Sequence, residues 1–230
     1  SFSSAVPEVV SGSHTVFLTV EPELAPDGTF DCNALFATAR EIAEGLNDFT
    51  LVILSSTVPV GTGDRVEALI RTCRPDARFA VVSCPLFLRR GAAITDMMRP
   101  DRIVIGVSDS RARRMMGEIW RPMCRDGVPL VYTSRRSAEM VSYASNAFLA
   151  MKRAFLNEMD SLCAVTGASL ADIGRAVDLD RRIGTTLLGA GSGADNAEFS
   201  KELLALIRMV GDLPPAAGGS VPDAQRRAAG

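Results

Sequence analysis

The sequence predicts an α/β fold in two parts, a parallel sheet with crossover helices followed by a wholly helical region built on one long helix. Between Thr15 and Tyr132, short aliphatic and β-branched runs alternate with segments of helical periodicity, the pattern of βαβ units. From Ser137 onward the apolar residues recur only at three-and-four spacing. The chain has 230 residues, 47% of them hydrophobic, and a net charge of -2, enough to bury a sizeable core in one or two domains.

In chain order, Thr15 to Val20 (TVFLTV) is the first clear strand. Asn33 to Leu46 is an amphipathic helix whose stripe is Leu35, Ala39, Ile42, Ala43 and Leu46. Leu51 to Leu54 is a buried strand, Ser55 to Gly63 a loop and Asp64 to Thr72 a helix. Phe79 to Val82 and Arg102 to Val107 follow as strands, Ser110 to Arg121 as a helix and Val128 to Tyr132 as the last strand. The long helix is expected to start at Ser137, as cap, and to stop at Gly167. Its stripe runs through Met140, Tyr143, Ala147, Phe148, Met151, Phe155, Met159 and Leu162. At 1.5 Å per residue it reaches roughly 45 Å, more than one small domain covers, so part of its surface is expected to meet another domain or subunit. Ser169 to Val177 and Phe199 to Val210 complete the helices around a glycine-rich loop, Gly184 to Asp195. From Pro214 the periodicity is lost, and residues 214–230 are expected to be a disordered tail.

Several function classes are disfavoured. With 25 Lys and Arg against 27 Asp and Glu, no polyanion-binding surface is indicated, and no nucleic-acid partner is expected. Five cysteines without a CxxC pair argue against a zinc site or a disulfide framework and suit a reducing, cytoplasmic compartment. No apolar run reaches membrane-spanning length. The single histidine, His14, has no partner at motif spacing, which disfavours a His-based triad or metal site. No GxGxxG follows a first strand, so the glycine turn that lays pyrophosphate on a helix N-terminus is missing.

Three segments carry a resemblance: STVPVGTGDRVEALIR (56–71), FLRRGAAITDMMRPDRIVIG (87–106) and SNAFLAMKRAFLNEMDSLCAVTGASLADIGRAVDLDRRIG (145–184). Together they resemble the UDP-glucose/GDP-mannose dehydrogenase family, in particular its bacterial UDP-glucose 6-dehydrogenases, collinearly from about Ser1 to Leu213. The resemblance implies part of an NAD-binding Rossmann-like domain over residues 1–133 and a central helical dimerisation domain over residues 134–213. In that frame the chain starts near the fourth strand of the Rossmann sheet, so Thr15 to Val20 is expected to present an unpaired sheet edge open to a protein partner or a second copy. Members of the family oxidise the sugar C6 alcohol twice through an essential cysteine.

The resemblance places the family's functional residues unevenly. Thr57, Asn146 and Lys201 stand as remnants of catalytic positions, and Phe87, Leu88 and Arg182 as remnants of substrate contacts. Both family glutamates are replaced, by Leu86 and Arg90; Ser142 stands where the family has a lysine, and Glu198 where it has the cysteine. A carboxylate cannot reproduce a thioester relay. The family's VGTP loop is replaced by Val20-Glu21-Pro22-Glu23, two carboxylates where an anionic cofactor would lie. These losses lead to the expectation of a dimeric, non-catalytic member with no bound cofactor that acts as a structural, interaction or self-assembling protein, joined through Tyr143, Ala147, Met151 and Phe155. The alternative is NAD-dependent oxidation of a nucleotide sugar, or its binding without turnover.

Overall fold

The computed structural model describes residues 2–25, 29–89 and 91–183. A short helix α1 (Val6–Ser11) has Pro7 in its first turn, where a missing N–H costs no hydrogen bond. Strand β1 (Thr15–Leu18) and a two-stranded antiparallel hairpin, β2 (Glu23–Leu24) with β3 (Phe30–Asp31), come next. Then follow α2 (Asn33–Gly45), β4 (Thr50–Leu54), α3 (Thr62–Cys73), β5 (Phe79–Ser83), α4 (Ala93–Met98), β6 (Ile103–Gly106) and α5 (Ser110–Trp120). A 3₁₀ turn (Met123–Asp126), β7 (Leu130–Thr133), the long helix α6 (Arg135–Thr166) and α7 (Leu170–Val177) complete the described chain.

The main sheet has the order β1-β4-β5-β6-β7. β1, β4 and β5 are mutually parallel, and so are β6 and β7. The expected all-parallel sheet needs one correction: β5 and β6 meet antiparallel, through the single pair Ser83↔Gly106. β6 thus joins at the tip of β5 instead of lying along its length, while on the other side of β5 the pairing with β4 runs on past the strand, Cys84 N–H donating to Leu54 O (2.8 Å) and Leu86 N–H to Ser55 O (3.4 Å).

Every residue of β4 and β5 is buried, as expected for central strands covered on both faces. On one face Val52, Leu54 and Val81 pack with Leu35, Ile42 and Ile70 of α2 and α3; on the other Leu51, Ile53 and Val82 pack with Ile105, Met116 and Trp120. β1 lies at the sheet's edge, and among the described residues no strand pairs with its outer side. It is also shorter than predicted, ending at Leu18. The N-terminal helix α1 packs on α2, with Val10 buried in the first core cluster.

The long helix starts three residues earlier than expected. Its cap is Ser134, whose Oγ accepts from Ser137 N–H (3.1 Å), so Ser137 is inside the first turn. It stops at Gly167, which takes the left-handed conformation (φ 73°) that favours glycine. The first third is embedded, through Ala138, Glu139, Ser142 and Tyr143, and Cys163 is buried near the other end; between and around them Phe148, Met151, Phe155 and Leu162 are exposed. Tyr143 is thus corrected from an interface residue to a core residue: it is 1% exposed and meets the Phe30 ring edge-on at 6.3 Å. The hairpin that carries Phe30 is too short to show in the sequence pattern, which is why the burial was not foreseen. Arg90, the Gly184 to Asp195 loop, Glu198, Lys201, the Phe199 to Val210 helix and the tail from Pro214 lie outside the described residues.

Candidate functional site

A cleft of about 780 Å³ opens between the carboxyl ends of β1, β4 and β5 and the embedded third of α6. Ligands of α/β sheets bind at such strand ends, and the volume suits a cofactor-sized molecule. The chain after β1 brings Thr19 and Glu21 to it, the loop after β4 brings Ser55, Ser56 and Thr57, and the segment after β5 brings Leu86, Phe87 and Leu88. The start of β6 supplies Arg102, and α6 supplies Ser142, Ser145 and Asn146.

Of the residues singled out in the sequence, Thr57, Leu86, Phe87, Leu88, Ser142 and Asn146 meet in this one cleft. Arg182 does not line it; its guanidinium is exposed and pairs with Asp180 (Nη2 to Oδ2, 2.7 Å), holding that carboxyl below the usual carboxylate range. Three lining groups escaped the sequence reading. The hydroxyls of Ser55 and Ser56 are buried and have no hydrogen-bond partner among the described residues, leaving two polar atoms for a ligand or water to satisfy. Arg102 stacks over the Phe87 ring (4.1 Å to its centroid) and donates from Nη2 to Ser145 Oγ (3.2 Å), joining the segment after β5 to α6. A charge at the head of an apolar strand was the only signal for Arg102, and its two partners are distant in sequence.

Cys84 is fully buried, and burial pushes its thiol up to about 12, with the Trp120 indole N–H pulling weakly the other way. A thiol that is buried and held protonated in this way is a poor nucleophile in the folded chain. A limiting dose of iodoacetamide on native protein should alkylate the exposed Cys73 first and leave Cys84 unmodified until denaturant is added; peptide mass mapping reads the order, and early labelling of Cys84 would contradict its burial.

The start of α3 and the end of β5 are tied to α6. The Glu139 carboxylate, 4% exposed, accepts from Gly61 N–H (2.6 Å), Gly63 N–H (2.9 Å) and Ser83 Oγ–H (2.7 Å). It occupies the N-terminus of α3, the position at which a helix would otherwise hold a phosphate. Beside it Arg135 donates to Asp64 (2.9 Å), pairs with Glu67 and reaches Val81 O (3.3 Å), while Arg136 donates to Asp64 Oδ2 (2.8 Å). The Arg136 hydrogen bond is the main cause that holds the Asp64 carboxyl below its usual value; burial opposes it, and the Arg135 hydrogen bond adds to the lowering. A carboxyl whose folded value is depressed adds stability that is complete above its unfolded value, about pH 4, and is lost as pH falls through the folded value. Urea midpoints measured downward from pH 5 should therefore fall less steeply in Arg136→Ala than in wild type; parallel curves would mean that Asp64 contributes nothing.

Sequence comparison gives the same picture. The NAD binding domain of the UDP-glucose/GDP-mannose dehydrogenase family matches residues 1–124, and the family's central domain matches residues 136–216. The UDP-glucose 6-dehydrogenase of Rhizobium meliloti (strain 1021) is 49% identical over 215 residues, 92% of this chain and 49% of that protein. The UDP-glucose 6-dehydrogenase of Pseudomonas aeruginosa is 38% identical over 212 residues, 90% of this chain and 47% of the relative. Among solved structures, a UDP-glucose dehydrogenase from the hyperthermophilic archaeon Pyrobaculum islandicum superimposes with a TM-score of 0.81 at 37% identity, covering 91% of this chain and 49% of that one. The chain spans about half the length of the curated relatives it matches. The match to an NAD binding domain overturns the expectation that the chain has no cofactor: that expectation weighed single positions such as Glu21, whereas the match extends over residues 1–124, which carry β1 to β6. With its Rossmann-like sheet, its long helix and both domain matches in place, the chain belongs to the UDP-glucose/GDP-mannose dehydrogenase family.

Proposed function

We propose that the chain serves as part of a nucleotide-sugar dehydrogenase that oxidises UDP-glucose to UDP-glucuronate in two steps, each passing a hydride to one NAD, with water supplying the second carboxylate oxygen. The observation that carries this reading is the convergence of Thr57, Asn146 and the unpartnered hydroxyls of Ser55 and Ser56 in one cleft at the strand ends. Those hydroxyls fit the many hydroxyl groups of a nucleotide, so Ser55 and Ser56 would hold the cofactor's ribose or amide end from the β4 side. NAD supplies the two-electron acceptor when bound. On the chain's side, the Thr57 hydroxyl and the Asn146 amide orient the sugar from opposite walls, while Phe87 and Leu88 shield it from water. The exposed residues Met151 and Phe155 of α6, with Ala147 beside them, would join two copies in a homodimer. The open edge of β1 would accept one more strand from a second copy or another protein. The five free cysteines accord with a cytoplasmic setting.

A second reading, a dimeric member that binds nucleotide sugar without turning it over, is supported by Ser142. It lies buried in the cleft wall where the family has a lysine, and a hydroxyl offers a dipole in place of a full charge for a developing oxyanion. Calorimetric titration with UDP-glucose and with NAD, followed by NADH fluorescence on mixing both, separates the readings. Heat with NADH formation supports the dehydrogenase; heat without NADH supports the binder; no heat with either ligand removes both.

A further inference from the structure

We propose that Glu139 is a positioning residue that sets the width of the cleft by locking the Thr57 loop to the Asn146 face of α6. The inference rests on the cleft being the binding site proposed above. Glu139 is a side chain of α6, yet all three of its donors belong to the sheet-bearing part: Gly61 and Gly63 at the start of α3, and Ser83 at the end of β5. Gly61 closes the loop that begins at Ser55 and carries Thr57. On the helix, Ser142 and Asn146 lie three and seven residues after Glu139, on the same face, and both line the cleft. One carboxylate therefore sets both the depth at which α6 is seated and its rotation relative to the opposite wall.

The site is shaped for that carboxylate. A Cβ added at Gly63 would lie 2.8 Å from Glu139 Oε1 and 2.7 Å from Ser83 Oγ, so any larger residue there would push the carboxylate out of its seat. An isosteric amide cannot replace it. All three partners donate, and the NH₂ group of glutamine would point a donor at a donor. Arg135 and Arg136 hold the turn just before Glu139 to Asp64, so the helix start is fixed on one side by ion pairs and on the other by the buried carboxylate. Glu139 needs no contact with a ligand to act; it works through Thr57 and Asn146.

Two measurements on the full chain test this. In the first, amide hydrogen exchange without ligand compares wild type with Glu139→Gln and with Ser83→Ala, which removes one donor only and keeps the test open if Glu139→Gln does not fold. Exchange should rise at least about fivefold in residues 57–63 and 139–146 together, and stay unchanged in residues 150–166; unchanged exchange in either of the first two segments overturns the lock. In the second, UDP-glucose affinity is measured in a double-mutant cycle of Glu139→Gln with Asn146→Ala. Glu139→Gln alone should weaken binding about tenfold and should have little further effect once Asn146 is gone. Additive losses would mean that Glu139 acts only through overall stability, and would overturn the positioning role. If wild type binds no UDP-glucose the proposed function fails, and the exchange measurement still decides whether the lock exists.

Discussion

Gly106→Val is expected to destabilise the chain by about 3 kcal/mol or more and to release α6 from the sheet. A Cβ at Gly106 would lie 2.6 Å from Arg135 Cα, 2.7 Å from Ala138 Cβ and 2.8 Å from Ser134 O. These are backbone or stiff atoms at the start of the long helix, so no side-chain rotation makes room. Either β6 shifts, breaking its pairing with β7, or the first turn of α6 lifts and takes the Glu139 and Arg135 contacts with it. Urea unfolding followed by circular dichroism measures the loss. A midpoint within experimental error of wild type would show that the helix start is loosely seated. Gly106→Ala should give a smaller effect of the same sign, because the first added carbon already meets the backbone.

Met151→Asp should convert the proposed homodimer into monomers, weakening self-association by at least about thirtyfold, the equivalent of about 2 kcal/mol. Met151 is 68% exposed in the isolated chain, and Phe148 and Phe155, each one helical turn away, are exposed as well. A carboxylate in the middle of such a patch would lose its hydration on association without gaining a partner. Sedimentation equilibrium gives the association constant, and circular dichroism checks that the helix is intact. A dimer of unchanged strength would place the contact elsewhere on the molecule. Tyr143→Asp is not an equivalent test, because Tyr143 is buried beside Phe30 and its replacement would damage the fold itself.

Much of the architecture was legible in the sequence because local patterns report burial directly. The run LVIL marks β4, the stripe Leu35, Ala39, Ile42 and Ala43 marks α2, and Gly167 marks the end of α6, each a statement about near neighbours in the chain. The family was legible as well, since three collinear segments carried it. The effect of single replacements on cofactor binding was not: a charge such as Glu21 is visible as a residue type, but the cleft around it, with its unpartnered serines, is not.

The family resemblance singled out Thr57, Phe87 and Asn146 in the cleft, whereas periodicity, which marks the residues that must leave water, reached the elements and their buried faces. Periodicity carries no information about what lies opposite. The antiparallel joint at Ser83, the seat of Tyr143 under the hairpin, the stacking of Arg102 on Phe87 and the seat of Glu139 on α3 all join residues far apart in the chain. Each depends on distances between separate elements, and those distances exist only once the sheet and the long helix have packed.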